Sequence, residues 1–469
     1  MLNRPIAAAL VIGALTLPAA AEIEIPVTAR KAIELTIYEN NLALIKDRRV
    51  VTLPEAAAAI AFSGVSRELQ PESALFRVLD GPAIDVAEQV FDFDLISPQK
   101  LLDRSLGREV SVVTVNPANG QETTKRARVL SVEGGLVLDI GGKIHTEAPG
   151  RIVFDSLPDD LRTTPTLVLT VNGTAGKESL AELSYLSSGL GWHADYVAEY
   201  DAEAGRLDLT GWATIINTAG VDFKAATLKL VSGEVNRVTP PQPKMMERVA
   251  MAAADGLAPG VGRQALGGYH FYDFGPSVDL GANESKQLSL LSGRGITVKR
   301  EFVIRGEPYF AVNQVPSRPP VTEAETSITF KNDAAAKLGL PLPAGIVRVY
   351  GQDSSGAPQY IGEDRIAHTP DGREVRLTLG REFDVTAERE QTNFVRASDN
   401  MTLAIWRVVV KNAKPKPASV RVIEPMSGDW EITKSTSPHV KSNSGAAEWV
   451  LDVPAKGEAT LEYTVRTRF

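Results

Sequence analysis

The chain has 469 residues, of which 43% are hydrophobic and 23% charged, and its formal net charge is −8. That balance describes packed domains rather than a disordered chain, and an acidic surface argues against nucleic-acid binding, which rests on neutralised phosphates. With no cysteine, thiolate catalysis, cysteine-ligated zinc, iron–sulfur clusters and a lipid anchor on cysteine are all excluded.

Residues 1–21 read as a secretory signal peptide. Met1 to Arg4 is a short basic start, Pro5 to Pro18 carries no charge, and Ala19-Ala20-Ala21 before Glu22 supplies the small residues of a cleavage site. Cleavage after Ala21 predicts a periplasmic or secreted protein. No later stretch reaches the roughly 20 apolar residues of a membrane helix, so no transmembrane helix is expected.

After Glu22, period-two alternation dominates. Leu35–Tyr38, Thr166–Val171, Arg206–Gly211, Arg373–Leu379 and Ala459–Val465 each place apolar residues on one face of a strand. Gly, Pro, Asn or Asp interrupts these runs at the rhythm of sandwiches and small barrels. The expected fold class is all-β, with several immunoglobulin-like sandwiches and a small SH3-like barrel module. The expected division is an N-terminal β domain over 22–105, the small barrel over 106–160 and a central β-sandwich over 161–305. A β domain over 306–400 and an immunoglobulin-like sandwich over 401–469 complete the chain. A mobile insertion, 240–268, interrupts the central sandwich. Met245, Met246 and Met251 are flexible apolar groups in that otherwise polar stretch and are the preferred partner contacts.

Tyr269 to Phe274 is the densest aromatic run in a chain with 6% aromatics. A strand buried on both faces gives this pattern. A stacking platform for sugars also would, so Tyr269, Phe271 and Tyr272 join the candidate contacts.

In the central block, Trp192 and Tyr196 share a strand face and Trp212 lies on the neighbouring strand, so the three rings are expected to meet in one core. Gly189 and Gly191 turn the chain into the first strand, and Asn217 reads as a turn residue. Tyr185–Tyr196, Leu209–Asn217 and Leu228–Gly233, with Leu379–Asp384, Arg389 and Glu448–Pro454, resemble an uncharacterised bacterial envelope family, a domain of unknown function related to the C-terminal part of mucoidy-inhibitor-A-like proteins. The resemblance covers Thr164 to the end and implies fold and compartment. It implies no activity. Those relatives carry a coiled coil at the front, where Glu22–Asp160 here shows no heptads.

Candidate chemistry is sparse. His193 and Asp195, near Ser187 and Ser188, have the residue types of a hydrolytic triad, but no nucleophile elbow accompanies them. On one strand they stand about 7 Å apart, so contact requires the side chains to lean together. The five histidines are scattered singly, which does not make a zinc site. Asp92 with Asp94, Asp159 with Asp160, and Asp353–Gly356 lack the calcium-loop pattern and read as solvated loops or turns. Arg407, Lys411, Lys414, Lys416 and Arg421 form the one basic cluster, either edge protection or an anion-binding patch. Leu461, Tyr463, Val465 and terminal Phe469 imitate a membrane-barrel end, against which stand the 29 prolines. No catalytic residue, metal ligand or cofactor is assigned. The chain reads as a non-enzymatic binding or scaffolding module of a Gram-negative envelope, with an envelope protein or polysaccharide as partner. The alternative is a periplasmic hydrolase or polysaccharide-modifying enzyme centred on His193 and Asp195.

Overall fold

A computed structural model describes residues 22–81, 83–92, 94–158, 161–172, 176–233, 235–236, 269–315, 318–353 and 355–468. The leader, the methionines Met245, Met246 and Met251, the pair Asp159 and Asp160, and Phe469 lie outside the described residues. Strand makes up 64% of the structure and helix 5%, so the protein is all-β. No described helix is long and apolar enough to cross a membrane. The chain divides into two compact units. One comprises Met1–Gly191, Ile216–Val231 and Asp273–Glu284; the other comprises Trp192–Ile215, Ser232–Tyr272 and Ser285–Phe469.

The first unit holds three sheets. Its largest runs in the order His270–Leu280, Phe223–Ser232, Arg30–Tyr38, Leu42–Thr52, Glu178–Ser187, Leu75–Val78. Leu35, Ile37, Ile45, Leu183 and Leu230 are each no more than 1% exposed and form its inner face. A buried charge network braces this core. Arg49 Nη2 donates to Asp47 Oδ2 at 2.7 Å, and Arg30 donates to both oxygens of the same carboxylate. Arg49 Nη1 also donates to the carbonyls of Ile25 and Ser63, joining a second sheet to the first. The expected small barrel is a five-stranded sheet, ordered Lys143–His145, Val137–Ile140, Glu122–Ser131, Glu109–Val115, Arg151–Val153. Its apolar face packs on Val110, Val112, Ala127, Val129 and Leu138. The sheet stays open, because its first and last strands are not hydrogen-bonded to each other.

The second unit holds two sheets. A nine-stranded sheet ordered Asp429–Ser435, Gly457–Arg468, Met401–Asn412, Glu374–Ser398, Thr322–Lys331, Lys299–Arg305, Ala418–Pro425, Ala446–Val453, His439–Asn443 folds over a core containing Trp406, Trp430, Trp449 and Tyr463. Trp449 stacks on Tyr463 with ring centroids 4.9 Å apart. The terminal strand thus buries Leu461, Tyr463 and Val465 between two neighbours of the same sheet, as in a sandwich core. The other sheet runs Glu284–Thr297, Arg206–Asn217, Leu190–Asp201, Gly345–Gln352, Pro358–Ile366.

This five-stranded sheet positions the site. Along Leu190–Asp201, the buried residues Trp192, Ala194, Tyr196, Ala198 and Tyr200 alternate with the outward residues His193, Asp195, Val197 and Glu199. Tyr196 donates to Pro343 O at 2.8 Å. Its ring leaves no space above Gly211 and Gly345, where an added Cβ would stand 3.1 and 2.9 Å from ring carbons. One expectation fails here. Trp212 does not join Trp192 and Tyr196 in the core. The buried hydrophobic side chains of its strand are Leu207, Leu209, Ala213 and Ile215, so Trp212 points to the opposite face with Asp208, Thr210 and Thr214. The partner that Trp192 finds is Tyr272, ring edge to face at 5.8 Å.

Candidate functional site

The outward face of the five-stranded sheet gathers a polar network from all five strands. His193 and Asp195 stand two residues apart and lean together, with Nε2 3.1 Å from Oδ2. The separation imposed by the strand is thus closed by the side chains. Thr214 donates to the same Oδ2 at 2.6 Å, and Gln287 Nε2 donates to the Thr214 hydroxyl at 3.1 Å. Arg348 Nη1 donates to Asp195 Oδ1 at 3.2 Å, and its Nε lies 3.6 Å from Glu363 Oε2. Parallel pairing of Leu190–Asp201 with Gly345–Gln352 sets Val197 beside Arg348, which brings the guanidinium within reach of Asp195. Burial pushes the Asp195 carboxyl up, but hydrogen bonds from Thr214 and Arg348 and the charges of His193 and Arg348 outweigh it and hold the group below its ordinary value.

Rings flank the network. Trp212 is half-buried on this face. Arg348 and Tyr350 share a face two residues apart, and Tyr350 meets Tyr360 edge to face at 5.9 Å. Tyr360 is 56% exposed. Burial, then the Glu363 carboxylate, push its hydroxyl's pKa up. His193, at 52% side-chain exposure, and Arg348, at 40%, are accessible while Asp195, at 16%, anchors both. Exposed planar donors and acceptors are therefore fixed between aromatic rings on a rigid sheet.

Ser187 is fully buried, and its hydroxyl bonds Ser66 Oγ and Ser188 O, each at 2.7 Å. Thr214 gives its proton to Asp195, not to His193. Among the described residues no three His, Asp or Glu side chains converge as metal ligands. Asp92 pairs with Arg162 at 2.9 Å, and Asp94 pairs with Lys100 and Arg104 at 2.7 Å. Asp353 closes a turn by accepting from the N–H groups of Ser355 and Ala357, which with the Ser355 hydroxyl holds its carboxyl down to about 2.

The basic cluster is neutralised residue by residue. Arg407 faces Glu462 at 2.7 Å, Lys414 faces Glu382 at 2.8 Å and Lys416 faces Glu203 at 3.4 Å. Lys411 pairs with Glu388, and Arg421 with Glu301. Of the aromatic contact candidates, Tyr269 and Phe271 are half-buried. Tyr272 is held by Trp192 and donates to Pro341 O at 3.0 Å. Tyr350 and Tyr360 on the outward face were not among the residues singled out from the sequence, and Trp212 was placed in the core.

A family model described as Domain of unknown function (DUF4139) matches residues 181–469, more than half of the chain, and the protein belongs to that family. Every residue of the outward face lies within the match. No curated protein matches the chain.

Proposed function

We propose that this member of the family is a non-enzymatic glycan-binding module of the bacterial envelope, and that the outward face of the five-stranded sheet receives an envelope polysaccharide. The observation that carries the reading is the Trp212 and Tyr350–Tyr360 rings set beside the network of His193, Asp195, Arg348 and Glu363. Sugars present apolar C–H faces, which cover aromatic rings, and rims of hydroxyls, which pair with planar carboxylate, guanidinium and imidazole groups. Mutual hydrogen bonds hold those groups before the ligand arrives, which reduces the ordering cost of binding. An open sheet face also suits a polymer passing through, whereas a small metabolite needs a concave site.

The leader-like residues 1–21 support an extracytoplasmic setting, and the resemblance to mucoidy-inhibitor-A-like proteins agrees with an envelope role. Affinity electrophoresis of the mature chain through gels containing individual envelope polysaccharides tests the proposal. One polysaccharide should retard the protein, and Trp212→Ala should weaken retardation about tenfold or more, the usual scale for a central aromatic contact. Equal mobility of the parent and the variant in every gel refutes the site.

The 3.1 Å contact of His193 with Asp195 favours one second reading, a polysaccharide-modifying enzyme in which His193 serves as base. Release of reducing ends or acyl groups from the bound polysaccharide, lost in His193→Ala, would select this reading over simple binding.

A further inference from the structure

The first unit contains a cleft of about 510 Å3, inside the range of roughly 300–1,000 Å3 typical of small-molecule sites. Its origin is a backbone irregularity on each of two facing strands. Arg30–Tyr38 and Phe223–Ser232 run parallel but pair only from Glu34 opposite Thr227 to Tyr38 opposite Val231. Ahead of that register both backbones are irregular, and the first strand bulges. Lys31 is an extra residue between Arg30 and Ala32, which oppose Arg49 and Arg48 of the next strand. Ala225 takes a φ of 50°, a left-handed conformation that a residue with a Cβ rarely adopts. Its N–H turns away to Asp279 Oδ1 at 2.7 Å. Bulges re-aim side chains and gather beside functional sites, and here one bulge and one left-handed residue border the same slot.

The slot has an apolar wall and a cationic rim. Val27, Ile33 and Val221 line it, with Ile33 buried. Lys31 and Lys224 are exposed at the rim, and neither has an acidic partner among the described residues. Arg30 shares the Asp47 carboxylate with buried Arg49, each at 2.7 Å, so this trio keeps one positive charge. Asp222 accepts from Ala282 N–H at 2.8 Å. Lys31, Lys224 and the singly positive Arg30–Asp47–Arg49 trio against the Asp222 and Asp279 carboxylates leave a single net positive charge around the mouth of an apolar slot, which complements an amphiphilic monoanion.

We propose that this slot binds a medium-chain carboxylate, with the alkyl chain against Val27, Ile33 and Val221 and the carboxylate between Lys31 and Lys224. The site is separate from the glycan-binding face and does not depend on that reading. Isothermal titration calorimetry of the mature chain with hexanoate, octanoate and decanoate at neutral pH provides the test. Saturable binding is expected, strengthening about fourfold for each methylene that the slot covers. The double variant Lys31→Gln/Lys224→Gln, altered only at exposed side chains, should keep the parent's melting curve and bind decanoate about tenfold or more weakly. Ala32→Trp, which fills the slot, should abolish binding; far-UV circular dichroism checks that it folds. Decanol should bind more weakly than decanoate. Absence of saturable heat with decanoate overturns the proposal, as does equal affinity across the chain lengths, for decanol, or for the double lysine variant.

Discussion

Asp47→Asn should cost the first unit about 3–5 kcal/mol, the penalty for stranding a buried charge. Asp47 and Arg49 are both 0% exposed and 2.7 Å apart, so the guanidinium has no route to water once its counter-charge is removed. Arg30, at 12% exposure, can turn outward and relieve little of the loss. With a urea slope of about 3 kcal/mol per M, the unfolding midpoint should fall by roughly 1 M or more. The assay must be far-UV circular dichroism, because the five tryptophans, Trp192, Trp212, Trp406, Trp430 and Trp449, all belong to the second unit. Replacing both partners, Asp47→Leu with Arg49→Met, should recover most of the loss, since a buried pair exchanged for apolar residues is often neutral. The effect also has a pH signature. Burial raises the Asp47 carboxyl, but hydrogen bonds from Arg30 and Arg49 and their charges outweigh it, so the native value lies below the ordinary 3.8. Stability from this carboxylate is therefore complete above 3.8 and is lost as pH falls through the native value. Parent and Asp47→Asn curves should converge in acid. A midpoint shift below about 0.2 M at neutral pH would refute the argument that Asp47 is the counter-charge of Arg49.

Three further outcomes can be checked together. Gly189→Ala should destabilise by about 1–3 kcal/mol in urea unfolding, because φ is +79° and the added Cβ would stand 2.8 Å from Ala219 Cα. His193→Ala should change stability by no more than about 0.5 kcal/mol, as befits a half-exposed side chain, while weakening glycan retardation. Affinity for the glycan should fall below pH 3.8, as the lowered Asp195 carboxyl takes up its proton and releases Arg348. The same acid loss in Asp195→Asn would count against Asp195 as the anchor.

The all-β architecture was legible because period-two alternation recurs along the chain and turn residues delimit it. The outward face was legible only in part. Trp212 has the parity of Asp208, Thr210 and Thr214, while Leu207 and Leu209 have the other, so its exposure was written in the alternation. Chemical likeness to Trp192 and Tyr196 obscured that signal. Arg348, Tyr350, Tyr360 and Glu363 reach the face from strands about 150 residues away through a parallel pairing that no local pattern encodes. The basic cluster misled for a related reason. Arg407 is neutralised by Glu462 directly across the ladder, and that partner is visible only once the register is known. The bulge at Lys31 and the left-handed turn of Ala225 left no composition signal, since neither is a glycine.

The most direct test of the glycan-binding face is hydroxyl-radical footprinting of the mature chain, with and without the polysaccharide that retards it most. Trp212 and Tyr360 should be protected on binding, while Tyr309, 48% exposed elsewhere in the same unit, should react equally in both states. Protection at Tyr309 with none at Trp212 or Tyr360 would contradict the account and move the binding surface off this sheet.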